Sequence, residues 1–109
     1  MSVDLLGPVG IREMELPRQC QQNEGHLHNH DHTTFVMAGA VQVYYRREGE
    51  TQEHQSIVYR APARFAVLAR VYHRIVALEP NTVYWCVFSH RDAEGLVVEE
   101  YLGNDAAYV

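Results

Sequence analysis

What most constrains this chain is the rhythm of its middle. From Thr33 onward it runs in short stretches rich in valine, isoleucine, tyrosine and phenylalanine, each closed by turn-forming residues, and no window sustains a helical period. The stretches fall at 33–37, 41–46, 56–59, 64–68, 74–78, 83–89 and 96–101. Between them stand Ala38-Gly39, Glu48-Gly49-Glu50, Ala61-Pro62, Glu79-Pro80-Asn81 and Ala93-Glu94-Gly95, which supply the Gly, Pro or Asn that tight reversals need. Seven or more strands at this spacing predict an all-β fold, a small β-barrel or jelly roll.

The length of 109 residues suits one domain over 1–109. Residues 1–16, with a turn at Gly7-Pro8 and an interruption at Pro17, read as an N-terminal edge strand or arm. Residues 103–109 begin as a turn and end in apolar residues, a tail that can dock on the barrel or on a second subunit. Nine Lys+Arg against fourteen Asp+Glu give a net charge of -5 and no basic stripe, which argues against a nucleic-acid partner. No apolar run is long enough to cross a bilayer and no basic leader opens the chain, so the expectation is no membrane partner and a cytoplasmic location. Cys20 and Cys86 have no CxxC spacing and are expected to be reduced thiols, Cys86 in the core. The aromatic residues of the strands are expected mostly to pack the core, with some shaping a barrel mouth.

Histidine is the unusual count: seven, with four between positions 26 and 32. Residues 25–39 read GHLHNHDHTTFVMAG. His26 and His28 are two apart, so in an extended strand their imidazoles leave one face and can converge on one ion. Asn29, His30 and Asp31 favour a reversal that returns His32 alongside them. Neutral imidazoles on a rigid sheet suit Fe, Mn, Ni, Zn, Co or Cu better than the oxygen-seeking Mg or Ca. The competing account is a solvated histidine-rich loop that binds metal without purpose. His30 is read as solvent-facing in the turn, with proton relay beside a metal as the alternative, and His54 and His90 as surface histidines.

The spacing His26-x-His28, three residues, His32, six residues, Gly39 resembles the first motif of the cupin family, with His32 where most members carry Glu. A register built on His28 and His30 would put Thr34 and Val41 at the Glu and Gly positions, and Gly39 decides against it. The family's second motif places its last ligand at a His opening a strand after a tight turn. The stretch around His73 has that shape without the usual Pro and Gly. The resemblance thus implies a cupin-like double-stranded β-helix of the four-histidine kind, with one divalent transition metal ion on His26, His28, His32 and His73. Four ligands on an octahedral ion leave two positions for a small-molecule substrate or for substrate plus dioxygen. Neutral ligands leave the ion its full charge, which favours anionic oxygen donors.

The family implies several chemistries, and fold alone does not choose among them. The first expectation is a dioxygenase-like metal-dependent enzyme acting on a small oxygenated organic molecule. The alternatives are a metal-dependent isomerase or lyase of sugar or keto-acid type, and a non-catalytic small-molecule-binding module. No catalytic residue beyond the ligands is assigned. Small cupins often pair through edge strands, so the resemblance also implies a homodimer.

Overall fold

The computed structural model describes residues 2–6, 9–23 and 31–89. All regular structure among them is β: β1 (Ser2–Leu6), β2 (Val9–Leu16), β3 (Gln22–Asn23), β4 (His32–Ala38), β5 (Ala40–Arg47), β6 (His54–Arg60), β7 (Ala63–Val67), β8 (Val71–Ala77) and β9 (Thr82–Ser89). They form two antiparallel sheets, one in the order β1-β2-β9-β4-β7 and the other in the order β3-β8-β5-β6. The chain changes sheet at every step from β2 to β9 except between β5 and β6. That is the jelly-roll barrel the strand rhythm predicts. No helix among the described residues is long and apolar enough to cross a membrane.

Burial alternates with the period of two that a half-buried strand imposes. Arg12, Met14 and Leu16 point inward from β2, Thr34 and Val36 from β4, Ile75 and Ala77 from β8, and Thr82, Tyr84, Cys86 and Phe88 from β9. Val41 and Val43 complete the inner wall from β5. The apolar members of this set interdigitate into one core, Cys86 among them, while Cys20 is exposed in a turn.

Three turns show how the sheet change is made. Gly39 alone separates β4 from β5, at φ +76°, and a Cβ there would collide with the Thr82 hydroxyl. A residue with a side chain meets both a left-handed backbone and an occupied space at that position. Arg70 and Asn81 also take positive φ, at 60° and 57°, before β8 and β9. The tight turn ahead of His73 therefore forms without the glycine that such turns favour.

The amino-terminal segment differs from an arm. β1 and β2 form a hairpin, and β2 lies between β1 and β9 along its whole length, from Val9 opposite Ser89 to Leu16 opposite Thr82. Only β1 is an edge. Strand bounds otherwise lie within one or two residues of the predicted runs except at β8, which starts at Val71 rather than 74 and so takes in His73. The predicted run at 96–101, the turn at Ala93-Glu94-Gly95 and the 103–109 tail lie outside the described residues.

Candidate metal centre and cavity

Two of the four sequence-predicted ligands are described, and the fold brings them together. His32 opens β4 in the five-stranded sheet, and His73 lies in β8 of the four-stranded sheet. Each is two residues from a core residue on its own strand, Thr34 and Ile75, so strand alternation turns both imidazoles into the barrel. They are 4% and 6% exposed, and their ring centroids lie 5.8 Å apart at an interplanar angle of 70°. Residues 41 positions apart in sequence thus bring two buried imidazoles together between the sheets.

His26 and His28 lie outside the described residues, as do His30 and His90. Among the described residues no group of three His, Cys, Asp or Glu side chains is close enough to hold an ion. The described donor set is two buried imidazoles, whose chemistry fits a borderline transition metal.

His54 is exposed, as expected of a surface histidine, and it has a partner that sequence spacing did not reveal. Its Nε2 lies 2.7 Å from Glu50 Oε2, and its ring stacks on Tyr45 at 5.3 Å. The hydrogen bond to His54 holds the Glu50 carboxyl below its ordinary range.

A cavity of about 520 Å³ opens beside His73, within the range of small-molecule sites. Strands β5, β6, β7 and β8 build it. Val43 and Val67 lie in its depth and Tyr59 packs on Phe65 across the gap between the sheets, ring centroids 4.6 Å apart. Ile57 and Leu68 form an exposed apolar rim. Tyr45 pairs with His73 in register and brings a phenol to the same wall. The Ser56 hydroxyl is already engaged, accepting from Val43 N and donating to Ile57 O. No Asp or Glu lines the described wall.

Beneath the histidines is a polar layer that sequence reasoning missed. Arg12, Cys86 and Thr34 occupy one rung of the five-stranded sheet, all buried. An Arg12 Nη2 and the Thr34 hydroxyl each lie 3.8 Å from the Cys86 sulfur. The available signal was parity: Arg12 alternates with Met14 and Leu16, and nothing in composition alone separates an inward arginine from an outward one.

No protein-family model and no curated sequence matches the chain. Solved structures do. The chain is similar to the oxalate decarboxylase of Lactobacillus farciminis, solved as a formate complex, at 21% identity and a TM-score of 0.63, covering 86% of this chain and 28% of that one. It is similar to a cupin superfamily protein from Desulfitobacterium hafniense at 12% identity and a TM-score of 0.62, covering 82% and 73%. The CENP-C cupin domain of Drosophila melanogaster matches at 18% identity and a TM-score of 0.57, covering 73% of this chain but only 59% of that one. The chain therefore spans well under the full length of the Drosophila domain and about a quarter of the decarboxylase. At these identities the likeness is one of fold: the chain adopts the double-stranded β-helix of the cupins.

Proposed function

We propose that the chain is a metal-dependent cupin enzyme of the oxygenase type, acting on a small oxygenated organic molecule with an apolar body. The observation that carries this reading is the meeting of His32 and His73, from opposite sheets, in the inner wall beside an apolar cavity. In this reading His26 and His28, which precede β4 in the sequence, complete the ligand set.

An ion held there would act as a Lewis acid toward an oxygen donor of the substrate. The chain's own residues do the rest. Val43, Val67, Tyr59 and Phe65 exclude water from the deep part of the cavity and fit an alkyl or aryl body. The Tyr45 hydroxyl, on the strand beside His73, is available to orient a substrate oxygen.

The isomerase or lyase alternative is weaker on the same wall. Such chemistry needs a base to move a proton, and the described lining offers no carboxylate. A polyhydroxylated sugar would also leave part of its hydroxyls against Val43, Ile57, Phe65 and Val67, where each lost hydrogen bond is costly.

The test is the metal content of the purified protein beside His73→Ala and His28→Ala, with oxygen uptake measured after Fe(II) or Mn(II) is restored and aryl diketones or phenols are supplied. The expected result is one ion per chain in the parent, loss of most of it in either variant, and oxygen uptake in the parent alone. Stoichiometric metal without oxygen uptake for any compound would overturn the oxygenase assignment. Absence of metal from the parent would overturn the centre itself.

A further inference from the structure

The cavity beside His73 has two unlike walls. The wall that runs from Phe65 in β7 to Leu68 carries no polar side chain. The β5 wall runs Val43, Tyr45, Arg47, every second residue of one strand, and so passes from hydrocarbon to phenol to guanidinium. Register fixes where each stands. Val43 pairs with the core residue Ile75, Tyr45 with His73 and Arg47 with Val71, so Arg47 lies two residues, about 7 Å along the strand, outward of the histidine rung. Among the described lining residues Arg47 alone carries a fixed charge.

This guanidinium has donors to offer. Its side chain is 64% exposed at the mouth, and the acid paired with it among the described residues, Glu50, stands 3.6 Å from Nη1, longer than a hydrogen bond. Glu50 is turned to other partners: Oε1 accepts from the Arg47 backbone N–H at 3.2 Å, and Oε2 lies 2.7 Å from His54 Nε2. Neither the Arg47 guanidinium nor the Tyr45 hydroxyl makes a hydrogen bond among the described residues. An arginine fork with unengaged donors suits a carboxylate, which it holds through two parallel hydrogen bonds. One guanidinium with a glutamate close by matches a singly charged group better than the double charge of a phosphate ester.

We infer that the cavity takes an amphipathic monocarboxylate, with its carboxylate on Arg47 at the mouth, its oxygen donor at the rung of Tyr45 and His73, and its apolar body against Val43, Tyr59, Phe65 and Val67. This names the substrate class of the site proposed above and rests on that reading of the cavity as a substrate site. The order along the molecule follows the order along β5: charge, oxygen function, hydrocarbon. Arg47 is here a specificity residue, which selects acids over neutral compounds of the same shape. Its exposure limits the gain, since a charge pair at the surface is modest and is screened by salt.

The test is isothermal titration of the chelator-treated full chain, at low ionic strength, with 4-oxo-4-phenylbutanoate and with its methyl ester, beside Arg47→Gln, Arg47→Lys and His73→Ala, each checked for folding by circular dichroism. The parent is expected to bind the acid about fivefold tighter than the ester, a preference that fades in high salt. Arg47→Gln should bind both alike at the parent's ester affinity, Arg47→Lys should keep part of the preference, and His73→Ala should keep all of it. A parent that does not distinguish acid from ester, or that binds neither, overturns the inference. So does a preference that survives Arg47→Gln and vanishes in His73→Ala, which would seat the carboxylate on the imidazoles. Metal content and oxygen uptake are measured on separate samples, so failure here leaves the oxygenase assignment standing. An acid preference in a protein without oxygen uptake strikes that assignment and keeps this one.

Discussion

The two ends of the barrel interior are built by the same strands and serve opposite ends. Along β8 the inward side chains run His73, Ile75, Ala77, and along β4 they run His32, Thr34, Val36. One end of each strand is apolar and sealed, with Ile75, Val36, Val41 and Tyr84 all at 1% exposure or less. The other end carries an imidazole, and on β8 that imidazole borders an open cavity. Nothing in the strand geometry changes between the two ends. Only the identity of every second residue does, and this lets a site be written on a barrel whose stability resides elsewhere.

The largest effect is expected from the sealed end. Ile75→Ala removes a fully buried side chain from the centre of the core, where relaxation is limited by neighbours on four strands. A cost of about 2–5 kcal/mol follows from comparable core truncations, read as a shift of the urea midpoint in the metal-free protein. His73→Ala, two residues along the same strand but bordering the cavity, is expected to cost the metal-free protein about 1 kcal/mol. Equal losses for the two would break the contrast and make the mouth part of the structural core.

How much of this could be read in the sequence follows from what parity conveys. Alternation separates the two faces of β8 cleanly, because His73, Ile75 and Ala77 interleave with Tyr72, Arg74 and Val76. The motif spacing then led to Gly39, whose positive φ and contact with Thr82 give it a physical reason to be glycine. It also led to the meeting of His32 with His73. On β9 the same logic fails. Both faces of Thr82–Ser89 are apolar, and only pairing with β2 and β4 shows that Tyr84, Cys86 and Phe88 face the core while Trp85 faces out. The expectation that the strand aromatics mostly pack the core therefore holds for Tyr84 and Phe88, and for Tyr59 and Phe65 packed against its margin, and fails for Phe35 and Trp85. Tyr44 and Tyr72 fail it differently, since they lie under the guanidinium groups of Arg74 and Arg46 at 4.4 and 4.6 Å. Arg12 escaped notice because a charged residue is normally assigned to the solvent side.

A middle-sized effect is expected where the sealed end reaches toward the strand that precedes the histidine segment. Tyr84 is fully buried, and its hydroxyl accepts a 2.8 Å hydrogen bond from the Asn23 side-chain amide in β3, the short strand that precedes residues 24–30. Tyr84→Phe removes that acceptor at a cost of about 1 kcal/mol. The loss is expected as faster exchange of the Asn23 side-chain amide and a several-fold weaker metal affinity. Burial raises the pKa of the Tyr84 hydroxyl above its ordinary value of 10.0 and keeps it protonated. The unfolded chain ionises first, so this contribution is whole below pH 10 and declines as the pH rises beyond it. The stability difference between parent and Tyr84→Phe should therefore narrow above pH 10, and a difference that stays constant to pH 11.5 would contradict the assignment.

The smallest effect is expected at the rim of the open end. Ile57 lines the cavity from edge strand β6 yet is 73% exposed, the most exposed large apolar side chain among the described residues. Burial that is already absent cannot be lost, so Ile57→Thr, which keeps the β-branch suited to a strand, should move the unfolding free energy by no more than about 0.5 kcal/mol. Its consequence belongs to the cavity instead. Replacing an apolar rim with a hydroxyl should weaken uptake of an aryl compound such as benzoylacetone by a few-fold, and leave a compound without an apolar body, such as acetylacetone, unaffected. Equal effects on both compounds would mean that the rim does not sort ligands. A stability loss as large as that of Ile75→Ala would mean that the open end is closed in solution by something Ile57 packs against.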